Sequence, residues 1–191
     1  MAGPNRFAYY QRLSAKDKAT YRKSDAITQI VLPDALALAG LVGELEQALA
    51  VGKRAGVASA VQRLTHALFQ QLGAPPLKIH VRLVRPSDEG GELHGLYTYA
   101  ANGKPPKLEV WMKTAANARI VRFRTFLRTL LHEICHHLDV TIFELEDSFH
   151  TEGFFRRESS LVRQLAPKPK TKPKVATVTI ARPVLKQLTL F

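Results

Sequence analysis

A single cysteine, Cys135, occurs in 191 residues, so no disulfide can form within the chain. That fits a reducing compartment. The N-terminal stretch MAGPNRFAYYQRLSAKDK lacks the apolar core of a secretory signal. The longest apolar runs, such as ALALAGLV, fall far short of the roughly 20 residues a membrane-spanning helix needs. Internal repeats are missing as well. These absences predict a soluble cytoplasmic protein with no membrane partner. Acidic residues are scarce and unevenly spread. The net charge is +12, yet residues 34–166 hold sixteen basic and fourteen acidic side chains and are nearly neutral. Residues 1–33 carry six Lys/Arg against two Asp, and residues 167–191 carry six Lys/Arg and no acid at all. A neutral body with basic arms suits a polyanionic partner, and DNA contacted without sequence preference is the expected one.

What is present reads as an α+β chain. Ser14 is placed to cap a helix over AKDKATYRK, and Asp34 to cap one over ALALAGLVGELEQALAVG. In VASAVQRLTHALFQQLG the residues Val57, Val61, Leu64, Leu68 and Leu72 recur at helical spacing, and Gly73 ends the pattern before Pro75-Pro76. The period then shortens. LKIHVRLV alternates Leu77, Ile79, Val81 and Leu83 as a strand does. Gly90-Gly91 marks a turn, ELHGLYTYA reads as a second strand and KLEVWM as a third. His80 and His94 fall on these strands away from any ligand spacing. A long helix over roughly 118–139 is expected to bury Ile120, Phe123, Leu127, Leu130, Leu131 and Ile134, with Arg124 and Arg128 on a solvated face. After the loop VTIFELEDSF, a last helix over TEGFFRRESSLVRQL buries Phe154, Leu161 and Leu165.

Chemistry concentrates in that long helix. His132-Glu133-Ile134-Cys135-His136 is an H-E-x-x-H, which at 3.6 residues per turn stacks two imidazoles on one face and sets Glu133 beside them. A catalytic zinc takes three protein ligands and keeps one position open. His150 is the leading third ligand, and Glu144, Glu146, Asp147 and Glu152 are its rivals. Asp139 and Ile142 stand where the longer metzincin motif has glycine and histidine, which excludes that class. His137 is turned about 100° from the ligand face. Cys135 reads as a small core residue.

The order helix, helix, strand, hairpin, H-E-x-x-H helix, then His150-x-x-x-Phe154 resembles the SprT-like (Spartan-type) metallopeptidase domain over roughly 56–166. That family usually has a glycine directly after the second-motif histidine, whereas this chain has Thr151. With one cysteine it also lacks the four-cysteine zinc ribbon of many bacterial members. The resemblance implies a minimal zincin-like fold with a three-stranded sheet. It implies Zn2+ held by His132, His136 and His150, with Glu133 as general base for hydrolysis of a peptide bound in extended form. It further implies proteolysis of proteins trapped on DNA. Residues 1–55 would be an N-terminal basic and helical extension, and 167–191 a Lys/Pro-rich tail. The tail ends in Gln187-Leu188-Thr189-Leu190-Phe191, which resembles the bacterial sliding-clamp-binding pentapeptide Gln-Leu-x-Leu-Phe at its four defined positions. The clamp is thereby expected as a partner and the nucleoid as the location. A peptidase without nucleic-acid gating and a non-catalytic zinc-containing DNA-binding protein are the competing expectations.

Overall fold

The computed structural model describes residues 7–166. The tail residues Gln187, Leu188, Leu190 and Phe191 lie outside the described residues. After a 3-10 turn at Ala8–Arg12, helix α1 runs Ala15–Ala26. Ser14 caps it, its Oγ accepting from the Asp17 amide at 3.1 Å. Asp34 acts one step earlier than the sequence suggests. Its Oδ1 accepts from the Ala37 amide at 2.9 Å and opens a 3-10 turn at Leu36–Leu38, and α2 follows at Ala39–Val51. Helix α3, Arg54–Leu72, stops where expected, because Gly73 takes a left-handed φ of 65°.

Five strands follow: β1 Lys78–Val84, β2 Ser87–Asp88, β3 Gly91–Glu92, β4 Gly95–Thr98 and β5 Lys107–Lys113. β5 is the centre of a three-stranded sheet, parallel to β1 with Val81 opposite Val110, and antiparallel to β4 with Gly95 opposite Val110. Its residues Leu108 to Met112 are buried on both faces. β2 and β3 form a separate hairpin around the Gly90-Gly91 turn. The stretch ELHGLYTYA is therefore not one strand. Glu92 belongs to the hairpin and Gly95 to the main sheet, so the chain changes sheets at Leu93-His94 and His94 is on neither strand. The alternation of β1 also ends early, since Leu83 is 45% exposed.

Helix α4 spans Phe123–Thr141, five residues shorter at its start than the periodicity predicts. Residues before it bond to β5 instead. The Val121 amide donates to the Met112 carbonyl at 2.8 Å, and Ile120 bridges Lys113, which leaves Ile120 partly exposed. Of the rest of the stripe, Leu127, Leu130, Leu131 and Ile134 are buried, joined by Cys135 and Leu138, while Phe123 is only partly buried. Helix α5 runs Glu152–Leu165 and buries Phe154, Leu161 and Leu165. α4 packs on β4, β5 and α5, α3 on β1 and α2, and α1 on α5. The architecture is α+β, with five α-helices, a three-stranded sheet and a two-stranded hairpin among the described residues. None of those helices is long and apolar enough to cross a membrane.

Candidate metal centre

The two histidines of α4 and the one before α5 meet. His150 Nε2 lies 3.0 Å from His132 Nε2 and 3.1 Å from His136 Nε2. Phe154, fully buried, forms the floor beneath them, its ring centre 4.9, 4.7 and 5.1 Å from those of His132, His136 and His150. This platform explains why an aromatic residue sits one turn into α5. Burial, then the neighbouring His132 and His150, hold His136 down to about 3, and burial lowers His150 as well. Both rings are therefore neutral at pH 7 and carry a nitrogen lone pair.

Hydrogen bonds behind the rings fix which nitrogen carries it. Glu158, buried in α5, faces His132 Nδ1 with Oε2 at 2.9 Å, and a carboxylate only accepts. Ser148 Oγ donates to Asp139 Oδ2 at 2.6 Å, so it accepts from His136 Nδ1 at 2.7 Å. His136 thus bears hydrogen on Nδ1 and aims a bare Nε2 inward, while His132 turns its Nδ1 to Glu158 and its Nε2 to the same point. His150 Nε2 closes the group, so that three imidazole nitrogens converge on one point. Three imidazole nitrogens held by one ion at about 2.0–2.1 Å in a tetrahedral array stand roughly 3.4 Å apart, close to the spacing found. A carboxylate or hydroxyl behind each ligating imidazole is also what metal sites use to orient them. The residues present fit a divalent transition metal such as zinc.

Three of the four rival carboxylates have partners elsewhere. Glu146 pairs with Lys16, Glu152 with Arg156, and Asp147 Oδ1 accepts from the Tyr99 hydroxyl and the Ser148 amide. The Glu144 carbonyl accepts from Lys23, and its carboxylate is not part of the histidine group. His137 faces the core. Its Nε2 donates to the Pro75 carbonyl at 3.0 Å, so its Nδ1 accepts from the Tyr97 hydroxyl at 3.2 Å. Cys135 is buried, and burial pushes its thiol well up.

Glu133 lies beside the histidines with its side chain against the backbone of β4. A Cβ added at Gly95 would meet its Oε1 at 2.5 Å and its Cγ at 2.7 Å, so only glycine leaves room for this carboxylate. Burial raises Glu133 to about 7, overriding the opposing effect of His132. The carboxylate opens onto a cleft of about 600 Å3 whose walls include His94, Arg124, Arg128 and His132. Arg128 is held there, its Nε donating to Glu158 Oε1 at 2.5 Å and Nη2 to Ser159 Oγ at 3.0 Å.

Several contributors were not singled out in the sequence: Gly95, Asp139, Ser148, Arg157 and Glu158. Arg157 is fully buried and uses all five of its N–H donors. Two go to Asp139, at 3.0 and 2.7 Å, two to the carbonyls of Ser24 and Ile27 at 2.8 Å each, and one to Ser24 Oγ at 3.0 Å. The signal in the sequence was charge on the buried stripe of α5, where Arg157 and Glu158 fall between Phe154 and Leu161. No family model, curated protein or solved structure matches this chain.

Proposed function

We propose that the chain is a zinc-dependent endopeptidase of the SprT-like, minimal zincin type. It acts on proteins associated with DNA and is recruited to the sliding clamp by its C-terminal tail. The observation that supports this most is the convergence of three imidazole Nε2 atoms with an acidic side chain beside them, open to a cleft at the edge of a sheet. Zinc bound by His132, His136 and His150 supplies Lewis-acid activation of water and of a peptide carbonyl. Glu133 is the proton carrier, taking a proton from the attacking water at its carboxylate and returning it to the leaving amine. Its burial against Gly95 keeps bulk water from solvating that carboxylate. β4 pairs only with β5 among the described residues. Its other edge offers backbone N–H and C=O groups to an extended peptide, a mode of binding that reads little side-chain sequence.

The partners rest on charge and motif. Basic residues concentrated in 1–33 and 167–191 suit phosphate contacts. Gln187, Leu188, Leu190 and Phe191 suit a clamp pocket, the two last side chains filling it while Gln187 bonds at the rim. The intervening 167–186 would serve as the tether between the body and that motif. Location with the nucleoid follows from both. The near-neutral charge of 34–166 favours a second reading, a peptidase indifferent to DNA.

Cleavage of a DNA-bound protein substrate, with and without single-stranded DNA, tests the proposal. Zinc-loaded wild-type protein should cleave only with DNA present, and Glu133→Gln should bind zinc and DNA but cleave at most about a thousandth as fast. Strong cleavage that ignores DNA favours the second reading. No cleavage by wild type, with zinc and DNA both bound, returns the site to a structural role.

A further inference from the structure

We infer that the N-terminal segment carrying Tyr9 and helix α1 is part of the metal centre. It acts as a positioning device for His136 and His150 and not as an appendage to it. The inference rests on the reading that the three histidines hold a metal. Two chains of hydrogen bonds carry it. The first starts at the C-terminal end of α1. There Ser24 and Ile27 accept three bonds from Arg157. Arg157 holds both oxygens of Asp139, Asp139 accepts from Ser148, and Ser148 accepts from His136 Nδ1. Ser24, Asp139 and Arg157 are completely shielded from solvent, and Ser148 nearly so. A buried guanidinium with every donor placed tolerates one geometry only, so α1 sets Asp139, and Asp139 sets the tautomer and tilt of His136.

The second chain reaches His150. The Tyr9 hydroxyl donates to the His150 carbonyl at 3.0 Å. Ser24 Oγ lies 3.3 Å from Thr151 Oγ1, one residue on, and Asp25 Oδ1 accepts from the Gly153 amide at 2.9 Å. His150 is the most exposed of the three histidines and the only one not on a helix. The chain around it is held from the N-terminal side through its backbone at 150 and 153 and through the side chain at 151. Glycine at 153 is what lets α1 come this close, since a Cβ there would stand 2.7 Å from the Ser24 carbonyl oxygen. The family to which the chain bears a resemblance has its glycine directly after the histidine. Here Thr151 caps α5 instead, and the glycine stands at 153, where α1 docks.

Metal affinity of the full-length protein, measured by competition with a chelator of known strength, separates positioning from general stability. Tyr9→Phe keeps the ring and loses one hydrogen bond, and Ser24→Ala loses the hydroxyl contacts to Arg157 Nη2 and Thr151 but keeps the carbonyl that accepts from Arg157 Nη1. Each should weaken zinc binding about tenfold, the lower end for partners of ligating residues, and shift the visible bands of the cobalt-loaded protein. Leu49→Ala, in the core of α2 away from the centre, should lower the unfolding midpoint yet leave zinc affinity and cobalt bands as in wild type. Wild-type affinity in both Tyr9→Phe and Ser24→Ala overturns the inference, as does an equal loss in Leu49→Ala. Should wild type itself hold no zinc, the metal reading falls and the inference with it. A zinc-binding wild type with indifferent variants sinks the positioning role alone.

Discussion

Glycine 95 and glutamate 133 form the most exacting contact of the site. A methyl group at Gly95 has nowhere to go but into the Glu133 carboxylate. Gly95→Ala should therefore displace the Glu133 carboxylate while leaving the three imidazoles in place. Displacement by about an ångström costs on the order of a hundredfold in rate, so kcat should fall to that extent with zinc content unchanged. Parallel loss of zinc would show that the strand and the ligands move together. The approach of His132 and His136 was legible, because H-E-x-x-H carries its geometry in its spacing. Gly95 was not, because a glycine in an apolar alternation reads as a weak strand position until the side chain approaching it is known. Asp139 and Ser148 stayed hidden for a related reason. Their partners are up to eighteen residues away in sequence, and nothing in local spacing joins them.

Helix starts and stops followed local chemistry, so they were readable wherever a cap residue does the work. Ser14 and Gly73 bear this out. Where the backbone had a tertiary alternative, periodicity misled. Residues 118–122 continue an apolar pattern into α4, but Ile120 and Val121 pair with β5 and Ala118 and Arg119 bond to Thr114 just after it, and 92–95 divide between two sheets. The start of α5 shows both effects at once. Thr151 is a local cap, its Oγ1 accepting from the Phe154 amide at 3.0 Å, while Gly153 answers to α1. Losing the cap in Thr151→Ala should cost about 1 kcal/mol. Gly153→Ala forces two backbones apart and should cost about 1–3 kcal/mol, as overpacking does. Urea unfolding with an unchanged slope would measure both. The reverse order would mean that α1 yields easily and that the glycine is there for another reason.

Over the molecule as a whole, charge and packing divide the labour. The arms carry most of the excess positive charge, so removal of 167–191 should weaken single-stranded DNA binding. If all six Lys/Arg of that tail meet phosphates, the slope of log affinity against log salt should shrink by about 4. An unaltered slope would assign the tail no part in DNA binding. Deletion of 187–191 alone should leave the slope intact and abolish affinity for the clamp. Full-length protein with no clamp affinity removes that partner. The composition of the arms was open to view, since charge is additive and needs no fold. The reach of the N-terminal half was hidden. Tyr10, Tyr21, Ile30, Leu32, Leu38, Val42, Leu45 and Leu49 are all buried, although the sequence read as an extension up to residue 55.

The pairing of Arg157 with Ser24 and Ile27 also sets a timetable. These partners are 130 or more residues apart, and a ribosome adds about 5–20 residues per second. Helix α1 is therefore made several seconds before the residue that anchors it exists. His136 cannot acquire its complete set of supports until translation has passed Arg157. The supports of the histidine cluster are therefore among the last parts of the described fold to be completed.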